Sequence, residues 1–448
     1  MMRRASRSLY VPLALGLAGL FFAAGRAVAD PAEELPAEGH NKLGEDYKAS
    51  SDTWFALVAG QTAADPRNKT HQDAIDVAAR WVTYRLTWGL EKEGKFSEVL
   101  QELGRNLDTI RLNRDKTPKV AELFAKQLII HAKEVLQTRK PIARINAAYI
   151  LARLADRPTV DEKMDDVLRR LAGTNQADLA DALADTIRDP NQIDAAKFWA
   201  FRGLQRLLSL PRSDPPLLPP EKEQAALGEV VKWLEAHNKA TSPGTPEEEL
   251  DGFRYVRREA IAALAAGRYP TLSALPDKPH PTLLLLKIAA RDGIEPELRL
   301  DERLEAAIGV AHAQPSLDKD YQPEYAVHLL GQFVVDFMTR YDAEKQAHAN
   351  DASLPWSQPW KVEASRLIEA LELMKAQSKS AYVAMVADAS LDVLKPVERA
   401  GPTSNIADLD SNLRAHQPPS KSLYQSAPDS TVTFGGKPPA PPEEKKDK

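Results

Sequence analysis

The sequence predicts an all-α fold, built as an α-solenoid of helix pairs with irregular inserts. Three observations carry that prediction. From about residue 68 to residue 394, apolar side chains recur every three or four positions almost without a break. Proline or glycine punctuates this pattern where turns belong. Ala, Leu, Glu, Lys and Arg dominate the same stretch, which favours helices, and strand-type runs are nearly missing. At 448 residues the chain exceeds one compact core and reads as several domains or one extended array.

Residues 1–29 have the make-up of an export signal. Arg3, Arg4 and Arg7 form a basic head, Val11 to Gly25 an apolar stretch, and Ala27-Val28-Ala29 a small-residue cleavage site. An uncleaved anchor is the competing reading, but the apolar stretch is shorter than the ~20 residues that span a bilayer. The general secretory route fits best, since Arg3-Arg4 lack the hydrophobic residues that follow in a twin-arginine signal. The mature chain then begins at Asp30 and is periplasmic or extracellular. Loss of the signal removes Arg3, Arg4, Arg7 and Arg26 and no acid, so the net charge of −5 becomes about −9. That balance argues against nucleic acid as a partner. No later apolar run reaches membrane-spanning length; "TLLLLKIAA" (282–290) carries Lys287 and reads as a buried helix. Cysteine is missing altogether, which removes disulfides, lipid attachment at an N-terminal Cys and thiolate sites.

Residues 30–67 are polar and broken by Pro31, Pro36, Gly39 and Gly44, and predict a linker with one short helix at "TWFALVAG" (53–60). Residues 68–140 form an N-terminal helical region and 141–400 the repeats. Within these, Thr245-Pro246-Glu247-Glu248 places a capping hydroxyl, a first-turn proline and a following carboxylate at a helix start, with Gly267 and Pro270 at its end. Thr159-Val160-Asp161-Glu162 has the same hydroxyl-to-carboxylate spacing, and Pro118 and Pro281 stand where first-turn prolines belong. "LPRSDPPLLPPEK" (210–222) and "NKATSPGTP" (238–246) read as loops.

A basic-x-x-Ala element recurs through the repeats: Arg144-x-x-Ala147, Lys197-x-x-Ala200, Arg257-x-x-Ala260, Arg303-x-x-Ala306 and Lys361-x-x-Ala364. Two copies, "ARINAAYILARLAD" (143–156) and "VRREAIAALAAG" (256–267), resemble the first helix of HEAT repeats in the armadillo-type class. The resemblance covers residues 141–395 and implies small residues at tight inter-helix contacts. The alanines lie 46 to 60 positions apart, longer in three of four intervals than the ~40–47 of such repeats, so inserted loops or additional helices are expected. An irregular helical bundle and an α/α-toroid remain as alternatives.

After Gly401 the composition turns to Pro, Ser, Lys and Asp, and residues 401–448 predict a disordered tail. "STVTFGG" (430–436) is its one strand-like piece, able to pair with the sheet edge of a partner.

The nine histidines show no helix-borne metal spacing, and Gly-x-Ser-x-Gly, phosphate-loop, dinucleotide and calcium-loop motifs are missing, so no catalytic, cofactor or metal residue is assigned. His131 falls on the apolar side of its helix and reads as a hydrogen-bonded core residue. Trp81, Tyr84 and Trp88, three and four apart, share one helix face, for core packing or for a partner groove. Trp356 and Trp360 sit in a proline-stiffened loop, where recognition competes with a hydrophobic staple at the helix start. In a stacked array the ladder Arg144, Lys197, Arg257, Arg303 and Lys361 lines up, either as a binding stripe or, the favoured reading, as ion pairs that register neighbouring repeats.

The expectation is an exported, non-enzymatic scaffold that meets a protein partner or an envelope polymer. An α/α-toroid enzyme acting on polysaccharide and a purely structural envelope component are the alternatives.

Overall fold

A computed structural model of the chain describes residues 40–88, 95–113, 118–155, 175–209, 218–238, 245–348, 356–399 and 406–435. The export signal at 1–29, the helix start at Thr159 to Glu162 and the Pro-rich stretch 210–217 lie outside the described residues. Among the described residues there are fifteen α-helices and no β-strand, as the periodicity predicts. None of these helices is long and apolar enough to cross a membrane.

The N-terminal helices are α1 (His40–Val58), α2 (Lys69–Tyr84), α3 (Phe96–Leu112), α4 (Pro118–Leu136) and α5 (Pro141–Leu154). Helix α1 corrects the expected linker. It spans 19 residues, includes Gly44, and buries Leu43, Trp54 and Leu57 against its neighbours. Gly44, half-buried beside Trp81, does not break it, because one glycine in a helix costs only about 1 kcal/mol against the burial of these side chains. Asn68 caps α2, its side chain accepting from the backbone N–H groups of Thr70 and His71.

The remaining helices are α6 (Gln176–Arg188), α7 (Asp194–Leu208), α8 (Pro220–His237), α9 (Glu247–Ala266), α10 (Pro281–Ala290), α11 (Leu300–His312), α12 (Pro323–Ala347), α13 (Ser357–Gln377), α14 (Ala381–Glu398) and α15 (Ile406–Ala415). Proline opens α4, α5, α8, α10 and α12, where its missing N–H costs nothing and its φ is already helical. Helix α9 starts one residue later than Thr245 would dictate: Pro246 occupies the N-cap, and three glutamates in the first turn face the positive end of the helix dipole.

The five helices that carry the basic-x-x-Ala element pack in sequence, α5 on α7, α7 on α9, α9 on α11 and α11 on α13. Behind them α6 packs on α7 and α8, and α10 on α11 and α12. The alanines of the element, Ala147, Ala200, Ala260, Ala306 and Ala364, are each fully buried. Glycine takes this close approach further. A Cβ on Gly309 of α11 would fall 2.5 Å from the Cβ of Ala265 on α9, and one on Gly203 of α7 would fall 3.1 Å from the Cα of Ala152 on α5. Small side chains therefore set the spacing of the row.

The C-terminal segment also departs from expectation. Residues 406–435 are ordered against the body, while 401–405 and 436–448 lie outside the described residues. After α15, whose Leu409 and Leu413 are buried, the chain crosses the loops before α10 and α12 as a strap that buries Leu423, Tyr424 and Val432. Tyr424 pairs with Tyr321 in an isolated antiparallel bridge, and its hydroxyl donates to the carbonyl of Pro270. The strand-like "STVTFGG" piece docks on its own chain: the Tyr325 hydroxyl bonds both N–H and C=O of Val432, and the Gly435 N–H reaches the Ala290 carbonyl at 2.7 Å. Composition underestimates order here because a few apolar side chains meet a preformed apolar surface, so the strap need not supply a core of its own.

Candidate functional site

Two members of the basic ladder, Arg257 and Arg303, form buried cross-links between helices. Arg257 of α9 has a fully buried side chain and forks onto Glu302 of α11, Nε to Oε1 at 2.6 Å and Nη2 to Oε2 at 3.2 Å. Its Nη1 donates to the Pro296 carbonyl at 3.0 Å. Arg303 of α11, also fully buried, pairs with Asp336 of α12, donates to the Ala289 carbonyl and lies between the rings of Phe333 and Phe434. Arg144 of α5 donates to the carbonyl of Asn191, in the loop before α7, at 2.9 Å. Lys197 is buried, which lowers its pKa against the pull of Asp194 and Asp189. Arg257 and Arg303 therefore correct the binding-stripe alternative, because neither side chain reaches the surface. Lys361 remains half-buried on α13.

One position along, a second set of charges crosses the same row nearer the surface. Arg258 of α9 lies 3.6 Å from both Asp301 and Glu305 of α11. Glu305 in turn accepts from Arg366 of α13 at 2.7 Å. Burial raises the pKa of Glu259 on α9, an effect that Arg202 of α7 and Arg258 oppose and that Glu305 adds to. Arg202, Glu259, Arg258, Glu305 and Arg366 thus alternate in sign over α7, α9, α11 and α13, four neighbours in the row. Aromatic rings flank them: Arg202 lies over Trp199, which meets Tyr149 edge to face, and Arg299 lies over the exposed ring of Tyr255.

The tryptophans separate into different roles. Trp360 lies in the first turns of α13, not in the loop, and is buried against Phe337 and Tyr341 of α12. Trp356 is half-buried between Tyr341 and His348. Trp81 stacks on Tyr47 of α1 at 4.9 Å with Trp88 at its edge, whereas Tyr84 turns to His131, so the three do not form one stripe. His131 is the buried, hydrogen-bonded residue its position predicts, with Nε2 on Asp76 at 2.8 Å and Nδ1 beside the Tyr84 hydroxyl and Glu134. Burial pushes the Asp76 carboxyl up, but hydrogen bonds and charge from His131 and Arg80 outweigh it and hold the group low.

A trough of about 790 Å³ opens between α1 and α3, a feature the sequence does not signal because its walls come from residues about 50 positions apart. Tyr47, Phe55, Glu102 and Asn106 are among its lining residues. No group of three or more His, Asp or Glu side chains among the described residues is arranged to hold a metal ion. Comparison with known proteins finds no matching family model, no matching curated protein and no matching solved structure.

Proposed function

We propose that the protein is an exported, non-enzymatic α-solenoid scaffold of HEAT-like helix pairs that presents the α7–α13 face to a protein partner. The observation that supports this reading is the row itself. Five helices sharing the basic-x-x-Ala element stand side by side, with one buried arginine bridge between α9 and α11, a second from α11 to α12, and an alternating series of half-buried to buried charges across α7 to α13. A rigid row with charges and rings at its surface offers area and electrostatic register, which is what a repeat scaffold contributes to recognition. Small-angle scattering on the chain from Asp30 to Lys448, paired with crosslinked capture from the native envelope, tests it. The expected result is an elongated, curved particle and a discrete partner at near-equal stoichiometry, lost in Arg202→Glu with the melting temperature retained. A compact, closed particle overturns the solenoid; capture unaffected by Arg202→Glu overturns the assignment of the face.

A further inference from the structure

We propose that the trough between α1 and α3 binds a segment of neutral polysaccharide. Its volume of about 790 Å³ lies in the range of small-molecule sites, roughly 300–1,000 Å³. Asp52 and Phe55 line it from α1, and Glu102, Arg105, Asn106 and Thr109 line it from α3. The α3 residues recur at three and four positions, so one helix face supplies four of its polar groups, beside Tyr47, Asp52 and Gln61.

The two walls differ in chemistry. On α1 the Phe55 ring is 55% exposed, and it faces a trough instead of a core. An aromatic ring placed there can cover the C–H face of a sugar. On α3, successive turns carry a carboxylate, a guanidinium, a carboxamide and a hydroxyl, the mixture of acceptors and donors that a polyol requires. Asn106 supplies the second observation. It is 8% exposed, and its Nδ2 donates to no group. Because Asn106 lines the trough, its carboxamide is positioned to meet a ligand hydroxyl there.

Charge narrows the ligand class. Glu102 accepts from Arg85 at 2.6 Å and from the Tyr47 hydroxyl at 3.3 Å, so its charge is already met and its oxygens are fixed. Burial, with the Glu102 carboxylate, pushes Tyr47 up to about 12, which keeps the phenol a donor. Asp52 and Arg105 balance one another in sign. The trough therefore offers no net charge to a phosphate or a polycation and selects by hydrogen bonds and stacking. A peptide would look for apolar sockets on both walls, yet Leu103 and Leu107 of α3 are buried in the core on the other side of that helix.

The test is calorimetric titration of the chain from Asp30 to Lys448 with maltohexaose, cellohexaose and tetra-N-acetylchitotetraose, with oligogalacturonate and chitosan oligomers as charged comparators. The expected result is saturable binding of at least one neutral probe, weakened about tenfold or more by Phe55→Ala and by Asn106→Leu. Phe55 stands outside the core, so Phe55→Ala keeps the wild-type melting temperature and decides the matter if Asn106→Leu unfolds. Absence of saturable binding by every neutral probe, preference for a charged oligomer, or affinity unchanged by Phe55→Ala would each overturn the proposal. It stands apart from the scaffold reading, whose failure on the α7–α13 face leaves this result untouched.

Discussion

Arg257 and Glu302 form a two-pronged ion pair in which both side chains are wholly shielded from solvent. The pair ties α9 to α11, and the Nη1 group donates in addition to the Pro296 carbonyl. Truncating one partner leaves the other charge buried alone, so Arg257→Met is expected to cost about 3–5 kcal/mol in urea-induced unfolding. The double variant Arg257→Met/Glu302→Leu should recover a large part of that loss. A double variant as unstable as the sum of the singles contradicts the pairing.

Two glycines in helices should respond in opposite directions to the same change. Gly309→Ala drives a methyl into Ala265 and should destabilise by about 1–3 kcal/mol. Gly104, in α3, has nothing within 4 Å of a new Cβ, and Gly104→Ala should stabilise by about 0.5–1 kcal/mol through helix propensity. Thermal melts of the two variants beside wild type measure the contrast.

The strap should protect the loops it crosses. Tyr424→Ala removes a fully buried ring and the hydroxyl bond to Pro270, an expected loss of about 3–5 kcal/mol if the molecule unfolds as one unit. If only the C-terminal end loosens, limited proteolysis should cut near residues 416–430 while the N-terminal helices remain intact. Unchanged proteolysis and stability would show that the strap is not docked in solution.

His312 makes stability depend on acid. Burial first, then the charges of Arg268 and Arg366, depress its pKa to about 4 despite the nearby Glu305. The unfolded chain takes up this proton near pH 6.5 and the folded chain only near 4, so unfolding binds more protons in between. The stabilisation is therefore complete above about pH 6.5 and is lost progressively as pH falls toward 4, to a total of about 3 kcal/mol. His312→Gln should flatten that part of the pH–stability curve; an unaltered slope would exclude His312 as its source.

The row of helices was legible in the sequence because it rests on spacing. Arg257-x-x-Ala260 and Arg303-x-x-Ala306 place a buried alanine and a bridging arginine on one helix face, a pattern visible without knowing the partner. What the sequence hid was direction: a basic residue at the start of such an element looks the same whether it turns outward or finds Glu302. The N-terminal part of helix α1 escaped notice because Gly44 and a polar surface mask the buried position Leu43, while Trp54 and Leu57 fall in the short helix the sequence predicts. The strap was hidden for a related reason, since Tyr424 draws its burial from loops more than 100 positions earlier. The α1–α3 trough depends on how two helices diverge, which no local pattern encodes.

Tyr424 and Pro270 are 154 positions apart, and the bond between them imposes an order of events during biogenesis. A chain synthesised from its N-terminus can assemble α1 to α9 from neighbouring contacts as it emerges. The loop around Pro270 must then wait, its apolar surface uncovered, until residues 423–432 arrive. Completion of the strap is thus a late proofreading event, and a chain cut short before Leu423 leaves a sticky surface open to holdase chaperones and proteases.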